Sequence, residues 1–181
     1  VRTATIGFEL QVNNMLAAHN EGVDYPARVL RRCRERGIAP WISLRMNDVH
    51  YTDNLAHPFH GAMWRRPEFF RQGGRAFDYA FPEVREYFRA LVVETLERYD
   101  VEGLELDFLR EPYLFSTGRE QEGRQLLTGW LREIRALADA AAKRRGHPVR
   151  LGVRVPSSPV TALGLGLDAP AWAREGLADL V

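Results

Sequence analysis

One stretch limits what this chain can fold into. From Val101 to Arg110, Leu104, Leu106 and Phe108 alternate with Gly103, Glu105 and Asp107. That period of two marks a β-strand with two unlike faces. Helical spacing flanks it on both sides. Val84, Tyr87, Phe88, Leu91, Val92 and Leu96 recur between Pro82 and about Tyr99, and Leu126, Leu127, Trp130, Leu131, Ile134, Leu137 and Ala138 between about Arg119 and Arg145. A strand between two helices belongs to a parallel α/β sheet, where both faces are buried. Glu105 and Asp107 therefore point where a charge is costly unless it is paired or used. Chemistry on such sheets gathers at the C-terminal strand ends. Asp107 lies at that end, and Glu105 lies one position deeper on the same face.

The other elements follow from pattern and punctuation. Residues 3–12 alternate like a strand, and Asn13-Asn14 and His19-Asn20-Glu21-Gly22 read as loop. Asp24 is an N-cap with Pro26 in the first helical turn and Gly37 as the stop. Ile38 to Met46 reads as a strand, with Ser43, Arg45 and Asn47 on one face and Trp41 or Ile42, Leu44 and Met46 supplying the apolar positions. Residues 47–74 form a long excursion holding His50, His57, His60, Trp64, Tyr51, Phe59, Phe69 and Phe70. Loops of more than about 15 residues in compact domains are usually functional, so this one is expected over the strand ends. Val149 to Val155 is a further strand, with Gly152 and Arg154 opposite Leu151 and Val153. Asp168 caps a last short helix through Trp172, and residues 177–181 resemble the start of another strand.

This β-α rhythm predicts four to five βα units of a (β/α)8 barrel. A whole barrel needs about 250 residues, so the 181 residues read as the central portion of one barrel domain cut at both ends. The remaining strands would then come from segments outside the chain. Neither G-x-G-x-x-G nor G-x-x-x-x-G-K-[ST] occurs, which weakens nucleotide binding. The 25 basic and 24 acidic residues leave a formal charge of +1 with no polybasic segment, so nucleic acid is not an expected partner. No apolar run approaches the roughly 20 residues that span a bilayer. Lys143 is the sole lysine and sits beside Arg144 and Arg145 at a helix end, which argues against Schiff-base chemistry. The single Cys33 excludes an internal disulfide and a cysteine metal cluster.

Four segments carry a resemblance. Arg45-Met46-Asn47-Asp48-Val49-His50, the helix opening Phe77-Asp78-Tyr79-Ala80-Phe81-Pro82-Glu83-Val84-Arg85, the run from Tyr99 to Arg110, and the run from Leu167 to Leu177 are together similar to bacterial glycosyl-hydrolase-like (β/α)8-barrel proteins. The similarity covers about residues 24–181. Its most specific part is the central strand combined with R-x-N-D-x-H. It implies a barrel fold and a carbohydrate-directed active site.

Site candidates follow, each with a plainer alternative. Asp107 is the leading catalytic carboxylate; its alternative is an ion pair with Arg110. Glu105 lies roughly 7 Å from Asp107 at about 3.3 Å per residue, a spacing that glycosidase carboxyl pairs permit. Its alternative is a buried partner for Arg45 or Arg154. Asp48 is the third catalytic candidate. Arg45, Asn47, His50, Trp64, Asp78, Arg110, Tyr113 and Arg154 are the candidate substrate-binding residues. The arginines and Asn47 could equally form an internal polar network, and Trp64, Tyr113 and Phe115 could plug their own loops. His50, His57 and His60 with Asp48 and Asp53 lack H-x-H or H-E-x-x-H spacing, so neither a metal nor a cofactor is expected. The favoured reading is a glycoside hydrolase acting on a carbohydrate by carboxylate acid/base chemistry. The competing readings are a catalytically silent carbohydrate-binding or structural barrel and, third, a metal-dependent hydrolase.

Overall fold

The computed structural model of the chain describes residues 2–57 and 60–181, without the side chains of residues 2–9 and 11. Phe59 of the long excursion lies outside the described residues. The chain divides at Pro40/Trp41 into two compact units.

The first unit is helical. Helix α1 runs Arg2–Asn20 and α2 runs Tyr25–Glu35. The strand expected over residues 3–12 is thus a helix, and so is most of the expected loop after it. Alternating apolar residues over a short window satisfy both periods, since Ile6 and Leu10 are also four apart. With no paired strand beside it, the backbone closes its own hydrogen bonds. The start of α2 is as expected: the Asp24 carboxylate accepts from Ala27 N at 2.9 Å, Pro26 sits in the first turn, and Gly37 follows at φ 69°.

Among the described residues, the second unit is built on three parallel strands in the order β1 (Trp41–Arg45), β2 (Gly103–Asp107), β3 (Arg150–Arg154). The expected (β/α)8 barrel is overturned by this sheet. It is small and open, with three strands where closure takes eight. The segment read as an additional leading strand is α1. Beyond β3, Leu180 adds a single parallel bridge to Gly152.

Register separates the faces. One carries Ile42–Leu104–Leu151 and Leu44–Leu106–Val153, extended by Met46 and Phe108; the other carries Trp41–Gly103–Arg150, Ser43–Glu105–Gly152 and Arg45–Asp107–Arg154. Ile42 rather than Trp41 therefore belongs to the apolar face. The Trp41 ring lies across Gly103, where an added Cβ would come within 2.2 Å of it, and reaches Gly152. Two glycines inside strands are explained by that one ring.

Helices α3 (Pro82–Arg98) and α4 (Glu120–Arg145) pack on each other, and α4 packs on β3. Val84, Val92, Leu104, Leu106, Leu127, Leu131, Ile134 and Leu151 are fully buried. Burying each such side chain stabilises the fold by about 1.5–3 kcal/mol before entropy is counted. Two short helices end the chain, α5 (Pro159–Gly164) and α6 (Ala169–Arg174). Ser158 caps α5 through Thr161 N at 3.3 Å, and Asp168 caps α6 through Ala171 N at 3.2 Å.

Candidate functional site

The last register row of the sheet is charged across all three strands: Arg45, Asp107, Arg154. Asp107 is nearly buried, its side chain 6% exposed, and both carboxylate oxygens are held. Oδ2 accepts from Arg154 Nη1 at 3.1 Å, and Oδ1 accepts from Leu109 N at 3.0 Å. The Arg154 side chain remains 54% exposed. Asp107 thus pairs with Arg154, its register neighbour, where the sequence alternative was Arg110.

Arg45, the neighbour on the other side, turns to Asp48, with Nη1 2.9 Å from Oδ2. Asp48 Oδ1 accepts from Val49 N at 2.7 Å and His50 N at 3.0 Å, and also meets His50 Nδ1. Burial alone would raise the Asp48 carboxyl. The hydrogen bonds from the His50 ring and Arg45 outweigh it and hold the group below the ordinary carboxylate value. On the far side of the ring, Arg110 Nη2 lies 3.4 Å from His50 Nε2. The loops after β1 and β2 thereby meet at the same edge.

Glu105 sits one row down and is half-buried. Its carboxylate accepts from Ser43 Oγ at 2.7 Å, where an arginine was expected. Register gives the reason. Across from Glu105 stand Ser43 and Gly152, while Arg45 and Arg154 are two residues further along and engaged with Asp48 and Asp107. Glu105, Gly152 and Arg154 contribute to a groove of ≈690 Å³ beside β3, to which Pro156, Ala169 and Leu180 also contribute. This groove lies on the β3 side of the charged row.

Other candidates serve the loops. Asn47 is 1% exposed; its Nδ2 donates to Phe77 O at 3.1 Å, and its Oδ1 accepts from Phe77 N and Asp48 N, each at 3.2 Å. Asp78 is also buried. It accepts from Ala80 N at 2.8 Å and from Ser116 Oγ at 2.6 Å, tying the start of α3 to the segment before α4. Tyr79 adds a third tie by donating its hydroxyl to Met46 O. Trp64 stacks on His60 with ring centres 5.1 Å apart and touches Phe77 at 4.4 Å, so it plugs its own loop. Phe115 is buried against Gly123. Tyr113 is exposed, with the Arg71 guanidinium 5.1 Å from its ring centre. Among the described residues, no three His, Cys, Asp or Glu side chains converge as a metal-binding set. No described helix is long and apolar enough to cross a membrane.

Fold and edge together define an α/β protein with an open parallel sheet and a charged row at its C-terminal end. Neither the protein-family models nor the curated proteins compared with this chain match it.

Proposed function

We propose that the chain is a glycoside hydrolase whose reactive carboxylate is Asp107. The observation that carries this reading is the placement of Asp107. It is a nearly buried carboxylate at the C-terminal end of the middle strand, held by one guanidinium and one backbone N–H. The two contacts fix the carboxylate at the strand end, where a group can stand beside a sugar carbon gaining positive charge. Glu105 supplies a second carboxyl on the same face, roughly 7 Å along the strand, within the range of about 6.5–9.5 Å used by inverting glycosidases. Glu105 opens onto the groove beside β3, which Arg154, the partner of Asp107, also lines. Tyr113, exposed after β2, offers an aromatic surface on which a sugar ring can stack. The resemblance carried by Arg45–His50 and the central strand points to the same substrate class.

The test is Asp107→Asn in the full chain, assayed on a panel of aryl glycosides and polysaccharides. On any substrate the wild type cleaves, turnover should fall by about 10²–10⁴, with sugar binding retained. Undiminished hydrolysis would remove Asp107 from the mechanism. Binding of sugars with no cleavage by the wild type would favour a carbohydrate-binding protein instead.

A further inference from the structure

We infer that His50 is the proton acceptor of this edge, with Asp48 as the positioning residue that fixes its tautomer. The inference rests on the glycosidase reading for its substrate and on local geometry for its chemistry.

The geometry assigns the two ring nitrogens opposite roles. Nδ1 faces the Asp48 carboxylate, which can only accept a hydrogen bond when ionised. Nδ1 therefore carries the proton. Nε2 faces Arg110 Nη2 at 3.4 Å, and a guanidinium has donors only. Nε2 therefore presents its lone pair. An isolated neutral imidazole has no such constraint, and which nitrogen is protonated is set by the hydrogen bond the other makes. Here Asp48 and Arg110 select the same tautomer, and it is the one that can take a proton at Nε2.

The ring is placed as well as oriented. Its side chain is 48% exposed, so a substrate can reach it, whereas Asp48 behind it is 26% exposed. The backbone is pinned on each side: Asp48 Oδ1 takes the His50 N–H, and His50 O accepts from His60 Nε2 at 2.9 Å. Arg110 arrives from the loop that begins three residues earlier at Asp107. The lone pair thus points at a guanidinium from the loop after β2.

In the reaction, a water oxygen bonds to the anomeric carbon while the bond to the leaving oxygen breaks and its electron pair stays on that oxygen. A substrate water displaces the Arg110 N–H from Nε2, and Nε2 takes a proton from that water as it attacks. The leaving oxygen gains one through the Glu105 carboxyl, and His50 and Glu105 exchange protons with solvent afterwards. Asp107 then supplies charge beside the sugar carbon. Asp48 acts through the imidazole and need not touch substrate.

The experiment reads the tautomer directly. Long-range ¹H–¹⁵N correlation spectra of the full chain at about pH 8, where imidazoles are mainly neutral, should place His50 Nε2 at the unprotonated, downfield position and Nδ1 at the protonated, upfield one. His50→Gln identifies the resonances. Asp48→Asn should lose this preference, with Nε2 moving upfield. The same substitution should lower the rate at which diethyl pyrocarbonate acylates His50, followed by peptide mass against His147 in the same sample. Wild-type His50 protonated mainly at Nε2, or a tautomer unmoved by Asp48→Asn, overturns the inference whether or not a glycoside is cleaved. The expected tautomer in a protein that cleaves no glycoside supports the inference and counts only against the glycosidase reading.

Discussion

The protein uses the same three residue types at both ends of its sheet, with opposite results. At the C-terminal end, His50 gives Nδ1 to Asp48 and turns Nε2 toward Arg110. At the N-terminal end, His147 Nε2 lies 2.7 Å from Asp100 Oδ1, and its Nδ1 lies 3.0 Å from Pro148 O. Arg145 joins the same carboxylate at 3.3 Å and also donates to Leu96 O at 2.7 Å. Both nitrogens of His147 thus face acceptors, so the doubly protonated ring fits best there. Hydrogen bonds to the Pro148 carbonyl and then to Asp100 raise its pKa above the usual 6.5. What stands opposite the second nitrogen separates a proton acceptor from a clasp. The clasp ties the end of α3 to the turn between α4 and β3.

The largest expected effect breaks that symmetry by function. His50→Gln should lower glycoside turnover by about 10²–10⁴ while changing stability by less than about 0.5 kcal/mol, as for most exposed positions. His147→Gln should leave turnover unchanged. Paired kinetics and urea unfolding of both variants check this, and equal losses of turnover would end the distinction.

A smaller effect concerns the charged row itself. Asp107 is held by Arg154 and one backbone amide, so Arg154→Met should leave a nearly buried carboxylate short of one partner. The cost should be about 1–3 kcal/mol, read as a lower urea midpoint with an unchanged slope. Arg145→Met at the other end should cost less, because Asp100 keeps His147 and is far more exposed than Asp107. A cost at Arg154 no greater than that at Arg145 would mean that solvent screens both pairs alike.

The comparison also explains what could be read from sequence. The alternation of faces along β2 and β3, the helix starting at Pro82 and the caps at Asp24 and Asp168 were legible because each rests on residues close in sequence. The polar face was legible down to Glu105, Asp107 and Arg154. Which acid meets which arginine was not, since that depends on rows of a register two residues apart. The barrel failed for a related reason: alternation identifies a strand but says nothing about whether an edge finds a partner. Helix α5 escaped notice although Ser158-Pro159 is an ordinary start signal. Asn47 and Asp78 looked like ligand-binding residues because a buried polar side chain that clamps a loop has the same sequence appearance as one that meets a substrate. The Asp48-x-His50 spacing was visible throughout. Its meaning came only with Arg110, sixty residues away.

The smallest effect has a sign that distinguishes the two histidines by pH. His147 has its folded pKa raised, so its contribution to stability is complete below about 6.5, the unfolded value. It is lost as pH climbs through the higher folded value. The groups around it are Asp100 and Glu102, which favour the charged ring against its slight burial, and Arg145, which shares Asp100. The pair is partly exposed, with side chains 32% and 44% accessible, so the gain should be only a few tenths of a kcal/mol. Urea unfolding should therefore find His147→Gln less stable than wild type at about pH 5.5, with the gap closing by about pH 8.5. Asp100→Asn should flatten the same dependence while leaving His147 in place. A gap that widened with rising pH would mean that the ring folds neutral, and His147 would then resemble His50 after all.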